Sequence, residues 1–139
     1  MSSVSSVNDA TGTVVLDADD IGAVSKLELL WENASPSSSF AAQTVSLDLS
    51  GYDAVLIKAT TTSNNPSDEY YGFFNTLAFV GDGIKTVMFF CSGNTNRSGH
   101  RMAQATSSGV TFSKCMWNAA QTDGFGVPYY IYGIKGVQT

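Results

Sequence analysis

The sequence of 139 residues is short of charge, and of positive charge above all. Charged residues make up 14% of the chain, with seven Lys and Arg against twelve Asp and Glu. Binding to nucleic acid needs clustered Lys and Arg that neutralise phosphates, so the formal charge of −5 argues against nucleic acid as a partner. A soluble monomer normally carries more surface charge, and we therefore expect part of the surface to be buried against partners.

The chain also lacks long apolar runs and has few cysteines. No run approaches the ~20 residues of a membrane-spanning helix, and the N-terminus MSSVSSVNDA has neither the basic nor the apolar region of a secretory signal. We expect a protein made in the cytoplasm, with no membrane insertion. Cys91 and Cys115 both lie in apolar surroundings, which is typical of buried free thiols.

Helical periodicity is nearly absent after residue 25, and short alternating segments take its place. At 43% hydrophobic residues, the chain has enough apolar material for one core. The pattern predicts an all-β fold, a single antiparallel β-sandwich or jelly-roll-like domain over residues 26–139. Its strands are predicted at 44–49, 54–60, 70–80, 84–91, 101–105, 110–116 and 127–137, with 27–31 as a strand or a helical turn.

Alternation also predicts the pairing and the core. Residues 44–49 and 54–60 are expected to form a hairpin or a corner between sheets. Residues 84–91 are expected to pair with 70–80 across the tight turn at Gly81-Asp82-Gly83. The side chains predicted to face one interior are Val45, Leu47, Val55, Ile57, Leu77, Phe79 and Ile134.

No pattern in the chain indicates catalysis. His100 is the only histidine, and no serine lies in a Gly-x-Ser-x-Gly elbow. Cys91 and His100 could pair as nucleophile and base, but no third residue is indicated. Asp68 and Glu69 are adjacent, so in an extended chain they point to opposite faces and cannot flank one glycosidic bond. We predict no enzymatic activity, no catalytic residue and no cofactor.

A metal site is not predicted either. Counted from Asp17 as a calcium loop, Asp19 is third, Gly22 is sixth and Glu28 is twelfth. The fifth position is Ile21, which has no side-chain oxygen to offer. Two cysteines and one histidine at these spacings also fail to provide a zinc ligand set.

Residues 6–23, SVNDATGTVVLDADDIGA, combine a turn, a short strand and a capped turn. The Asn8-Asp9 pair tolerates the positive φ that a tight reversal needs. A segment this short cannot bury its apolar side chains alone and requires neighbouring chains to become ordered. We therefore predict that residues 1–25 form an oligomerising arm. Its assembly residues are Val14, Leu16 and Ile21.

This arm resembles the pattern SVN-x-x-TG-x-V-x-L-x-A-x-D-(V or I)-GA of tail-fibre and other fibre-like appendage proteins of bacteriophages and prophages. The chain departs from the pattern at Asp9, where a Gly is usual. The remainder is also similar to small phage virion domains that follow such a motif. The resemblance implies a virion location, a homotrimer, and attachment to another virion protein of the baseplate, tail or major capsid. The matching positions are Ser6-Val7-Asn8, Thr11-Gly12, Val14, Leu16, Ala18, Asp20 and Ile21-Gly22-Ala23.

Aromatic residues stand beside polar loop segments in the second half of the chain. Sugar-binding surfaces use such neighbours, with a ring for the apolar face of a pyranose and amides for its hydroxyls. The same rings could instead fill the core or the joints between subunits. The candidate glycan-binding residues are Asn65, Tyr70, Tyr71, Asn94, Asn96, Arg97, Trp117, Asn118, Asp123 and Phe125.

These patterns lead to one leading hypothesis and two alternatives. The leading hypothesis is a homotrimeric virion appendage that attaches by its arm and recognises a host-surface polysaccharide with its β domain. The first alternative is a capsid decoration or head-fibre protein without a specific ligand, which the absence of a long shaft favours. The second is a polysaccharide hydrolase, for which the chain offers no convincing acid–base pair.

Overall fold

The computed structural model describes residues 6–7, 10–11, 27–62, 72–91 and 98–136, and their regular structure is entirely β. Ser6–Val7 (β1) pairs antiparallel with Ala10–Thr11 (β2). The reversal predicted at Asn8-Asp9 lies outside the described residues. Ten further strands form two antiparallel sheets of four and six strands. The all-β prediction is confirmed. None of the described residues forms a helix that could cross a membrane.

The four-stranded sheet has the order β3-β12-β5-β6. Every neighbouring pair in it is antiparallel. Its strands are Glu28–Glu32 (β3), Ala54–Thr62 (β5), Phe73–Phe79 (β6) and Phe125–Ile134 (β12).

The six-stranded sheet is built around one long strand and curls into a half-barrel. Its strands are Gln43–Ser46 (β4), Thr86–Cys91 (β7), Ser98–Thr106 (β8), Gly109–Phe112 (β9), Cys115–Trp117 (β10) and Ala120–Thr122 (β11). The central strand β8 pairs with β7, with β10 near its beginning and with β9 near its end. Strands β11 and β4 add to β10 and β9.

The connection between β6 and β7 passes from one sheet to the other. The prediction that these strands pair is wrong, because β6 pairs with β5 and β7 pairs with β8. Val80 forms a parallel bridge with Ala105 of β8, and the Gly81 N–H donates to the Ala105 carbonyl at 3.0 Å. Positive φ angles of 79° at Gly81 and 74° at Gly83 allow the crossing. The corner predicted between residues 44–49 and 54–60 is present, since β4 and β5 belong to different sheets.

The core lies between the two sheets and confirms most of the predicted interior. Val45, Val55 and Ile57 are buried, Leu47 packs against them from a partly buried position, and Ile134 is half-buried.

Strand β6 carries the error in the predicted core. Leu77 and Phe79 are exposed by 43% and 37%, while Thr76 and Ala78 face the interior. The sequence FFNTLAF has apolar residues on both faces, so alternation alone does not fix which face is buried. A shift of one residue exchanges the two faces of a strand.

The two cysteines differ in their surroundings. Cys115 is buried as predicted, but Cys91 is exposed, which contradicts the expectation of two buried thiols. Cys91 ends β7 on the outward side, in the same alternating row as Val87 and Phe89. Both thiols are free.

Candidate functional site

Arg101 is completely buried between the sheets. Its Nε donates to the Gly126 carbonyl at 3.0 Å and its Nη1 to the Ser113 carbonyl at 2.6 Å. Its Nη2 donates to the carbonyls of Phe40, at 3.0 Å, and Phe125, at 3.1 Å. We call Arg101 and these four residues the Arg101 clasp.

The clasp joins parts of the chain that strand pairing leaves apart. The four carbonyls lie in the loop before β4, in the break between β9 and β10, and at the start of β12. Buried carbonyls need donors, and the guanidinium supplies several in a fixed fork. Burial lowers the pKa of the Arg101 guanidinium, which starts so high that the group keeps its charge.

Cys115 and Asp123 lie close enough to the clasp to interact with its charge. Burial raises the pKa of the Cys115 thiol to about 11, against the opposing effect of the Arg101 charge. The thiol is therefore protonated at neutral pH and is a poor nucleophile. Asp123 Oδ1 is buried, with no hydrogen-bond partner in the part of the chain that the structure describes.

Four aromatic rings form a continuous ring stack beside the clasp. Phe74 lies 5.1 Å from Phe90, Phe90 lies 5.7 Å from Trp117, and Trp117 lies 4.5 Å from Phe125, measured between ring centroids. Gly99 makes room for the stack, because a Cβ there would lie 2.6 Å from Phe90 Cζ and 2.9 Å from Trp117 Cε3. The stack ties β6, β7, β10 and β12 together.

The structure describes four of the ten predicted glycan-binding residues. Trp117 and Phe125 are in direct contact within the ring stack, Asn118 is exposed in the turn after Trp117, and Asp123 lies at the clasp. The indole of Trp117 thus contributes to packing, the alternative role that the sequence allowed. The remaining candidates, which lie outside the described residues, are Asn65, Tyr70, Tyr71, Asn94, Asn96 and Arg97. The predicted assembly residues Val14, Leu16 and Ile21 lie outside them as well.

The turn beside the ring stack has an uncommon backbone. Trp117 pairs with Ala120, so Asn118 and Ala119 form a two-residue hairpin turn. Their φ angles are 49° and 66°, values for which such turns favour Asn and Gly. A left-handed alanine costs about 1–2 kcal/mol, and backbone strain of this kind often occurs at functional sites.

A groove of about 270 Å³ lies on the outer surface of the six-stranded sheet. Its floor is the backbone of Ala103 and Phe112, where β8 pairs with β9. Its walls offer an ammonium group, an amide, two hydroxyls and a thioether. Sequence reasoning missed this groove, because it is assembled from β8, β9 and two turns without a local motif. The wall residues are Lys85, Met102, Gln104, Thr111 and Ser113.

Among the described residues, the potential catalytic groups Cys91 and His100 do not form a recognisable nucleophile–base pair. Cys91 pairs with Ser98 and Phe89 pairs with His100, so Cys91 and His100 are diagonal neighbours on the outer surface, a relation of about 7–8 Å. No hydrogen bond joins them among the described side chains. Within the described ranges, no group of three or more His, Cys, Asp or Glu side chains could hold a metal ion.

Comparisons with protein-family models, curated proteins and solved structures find no match to this chain. Its function is therefore argued from the residues and their geometry. The clasp lies in the interior with the ring stack beside it, while the groove and the Asn118–Ala119 turn are two surface features of the described residues that could meet a ligand.

Proposed function

We propose that this chain is a structural component of a bacteriophage virion, a homotrimeric fibre-like appendage module. Residues 1–25 form the arm that attaches it to a baseplate, tail or major capsid protein. Residues 26–139 form a non-catalytic body with a sandwich or jelly-roll arrangement. The resemblance of residues 6–23 to fibre-like appendage proteins supports the virion location.

One observation carries the proposal: the side chains that could take part in catalysis or binding serve as structural parts of the fold. Arg101 donates to four backbone carbonyls, Cys115 is a buried protonated thiol, and Trp117 packs within a ring stack. A catalytic group needs to reach a substrate proton or carbonyl. The burial of Arg101 and Cys115 and the stacking of the half-buried Trp117 support a structural body over the hydrolase alternative.

The groove on the six-stranded sheet favours a second function, recognition of a host-surface glycan. Gln104 and Thr111 offer an amide and a hydroxyl beside the apolar thioether of Met102, which is the mixture that saccharide sites use. One such shallow site would bind in the millimolar range, about 4 kcal/mol. Three sites on one particle raise the apparent affinity roughly a hundredfold through avidity.

The virion assignment is tested on purified phage particles. Gradient-purified virions are analysed by quantitative mass spectrometry and by immunogold electron microscopy with antibodies against the full chain. We expect the chain in a fixed ratio to the major capsid protein, with gold on the tail or on the capsid surface. Its absence from intact particles would contradict the proposal.

The glycan function is tested with the purified full chain and host-wall polysaccharide. Gln104→Ala in the groove should weaken binding at least tenfold, while Gln121→Ala, the same change at an exposed position on β11 outside the groove, should not. If the chain ignores polysaccharide but binds emptied capsids, the capsid-decoration alternative replaces glycan recognition.

A further inference from the structure

The apolar surface of the body is concentrated on two consecutive strands. Eight large apolar side chains are exposed among the described residues, and six of them lie on β6, on β7 or on the turn between them. We call these six residues the β6–β7 wall. They are Phe73, Leu77, Phe79, Ile84, Val87 and Phe89.

The strands of the wall contain no charged residue, although they lie at sheet edges. One charge from a neighbouring strand reaches the wall, since Lys58 Nζ of β5 lies 4.7 Å from the centroid of the Phe73 ring. β6 and β7 contain no Asp, Glu, Lys or Arg, and residues 72–91 include only Asp82 and Lys85, one of each sign. Proteins normally protect edge strands with charged side chains, because a bare apolar edge attracts other chains. β3, at the opposite edge of the four-stranded sheet, has this protection in Glu28 and Glu32.

The wall has two faces at one edge of the sandwich, one on the outer surface of each sheet. β6 ends the four-stranded sheet, while β7 pairs only with β8 among the described strands. Phe74 of β6 stacks on Phe90 of β7 inside the core, so both strands close the core on the same side. Phe73, Leu77 and Phe79 point outward from one sheet, and Val87 and Phe89 point outward from the other. We call these sets the β6 face and the β7 face.

Two faces that point outward from opposed sheets require a particular kind of self-association. A two-fold dimer pairs a surface with itself, and it would cover one face while the other stays in water. A closed ring pairs unlike surfaces, so the β6 face of each copy would meet the β7 face of the next copy. The trimer is the smallest such ring.

We propose that copies of this chain associate in a closed ring in which the β6 face of one copy packs on the β7 face of the next. This contact is the surface through which the fibre-like module assembles. The number of three copies rests on the proposed function. It does not depend on where in the virion the module sits.

The exposed apolar area supplies part of each contact in such a ring. The six side chains expose between 37% and 63% of their surface. Because large apolar side chains offer on the order of 150–250 Å² each, they present roughly 500 Å² of apolar surface per copy. Each copy divides this area between two interfaces, so its share of one interface is roughly 250 Å². A stable interface takes about 800 Å² from each partner, so the backbone and the neighbouring polar surface supply the larger part.

The charge of the chain favours the wall as the surface that a second copy contacts. The chain has a formal charge of −5, so identical copies repel each other wherever acidic surfaces meet. The wall strands β6 and β7 contain no acidic residue, so this repulsion is small there. Asp82 and Lys85 add one charge of each sign at the turn between them.

The test uses the full chain and two lysine variants, one on each face. Leu77→Lys changes the β6 face, Phe89→Lys changes the β7 face, and Ser46→Lys on β4 is the matched control at an exposed position outside the wall. Native mass spectrometry at micromolar concentration gives the number of copies, and far-UV circular dichroism checks the fold. Leu77→Gln and Phe89→Gln replace the lysine variants if the latter fail to fold.

We expect trimers for the wild-type chain and for Ser46→Lys, and monomers for each wall variant, with association weakened at least a hundredfold. An equimolar mixture of Leu77→Lys and Phe89→Lys chains keeps one intact pair of faces. It should therefore form dimers that contain one chain of each kind, which a two-fold interface cannot explain.

Three results would overturn the inference. They are a wild-type monomer, trimers that persist in both wall variants, and loss of assembly in only one of the two. A wild-type monomer would mean that the chain's own arm or loops cover the wall. Absence from virions with an intact, wall-dependent trimer would instead refute the proposed function alone.

Discussion

The Arg101 clasp and the β6–β7 wall reverse the usual distribution of polarity in a protein. At the clasp a guanidinium is fully buried, whereas at the wall the Phe89 ring is 62% exposed. The clasp is complete within one chain, because its N–H groups reach four carbonyls. At the wall, apolar surface remains in contact with water, which costs about 25 cal/mol of free energy for each Å². Folding completes the first region, and the second is left for association.

The two edges of the four-stranded sheet show the same contrast at shorter range. β3 has Glu28 and Glu32 in five residues, and Glu28 accepts a hydrogen bond of 2.6 Å from the Tyr52 hydroxyl. β6 has no charged residue in seven. The strand with carboxylates resists pairing with another chain, and the strand without them permits it.

The largest expected effect comes from removing the buried charge. Arg101→Met keeps the length of the side chain but leaves four buried carbonyls without their donors. We expect a loss of about 3–5 kcal/mol in the free energy of unfolding, or failure to fold. Urea unfolding measures it, with Lys114→Met at an exposed position as the control.

Arg101→Lys makes the comparison sharper. An ammonium group has three donors and no planar fork, so this variant should fold with a stability between Arg101→Met and wild type. If Arg101→Met matched the wild-type chain in stability, the clasp would not be what completes the interior.

The sequence predicts the clasp poorly, although it predicts the fold class well. The alternation at Val55 and Ile57 identifies a strand and its buried face correctly. No pattern around Arg101 marks it as buried, because its acceptors include Phe40, which lies 61 residues away in the chain. The need for a donor at that point arises only once the loop before β4, the β9–β10 break and β12 have come together.

The candidate site was predicted in the same partial way. Trp117 and Phe125 lie beside polar segments in the sequence, and the structure places them in contact. Their packing role depends on Phe90 and Gly99, which no local pattern connects to them. On β6 the apolar residues on both faces hide the register, because alternation then favours neither face as the buried one.

The next largest effect concerns the ring stack. Gly99→Ala places a methyl group 2.6 Å from Phe90 Cζ, so the rings must move apart, which costs about 1–3 kcal/mol. The near-ultraviolet circular dichroism of Trp117 should change as well. Gly51→Ala is the control, since a Cβ there meets nothing within 4 Å. Equal stability of the two variants would show that the rings can move apart at little cost in free energy.

A smaller effect distinguishes the wall from the clasp, because only association through the wall makes stability depend on protein concentration. If wild-type copies associate through the wall, tenfold dilution removes about 1.4 kcal/mol of stabilisation for each association step. The melting temperature of the wild-type chain should therefore fall on dilution, and that of Phe89→Lys should not. Arg101→Lys should melt lower than wild type but keep the concentration dependence. A wild-type melting temperature that ignores dilution would contradict the role of the wall.

The smallest effect uses the two thiols as reporters, since Cys91 ends β7 at the wall and Cys115 lies at the clasp. The pKa of Cys115 is raised by burial from 9.0 to about 11, so at pH 8 its thiolate is roughly a hundredfold scarcer than that of an ordinary thiol. Alkylation of the folded Phe89→Lys chain, followed by mass spectrometry, should add one label, at Cys91. If copies associate through the wall, the assembled wild-type chain should label more slowly at Cys91, because the next copy would cover the neighbouring Phe89. Two labels on the folded chain at pH 8 would show that the clasp opens to solvent, and the contrast between a finished interior and an unfinished wall would not hold.

The raised pKa of Cys115 also makes the stability of the fold depend on pH. Near pH 9 the unfolded chain loses the Cys115 proton while the folded chain keeps it. The stability contributed by this group is therefore present below pH 9 and is lost between pH 9 and about 11.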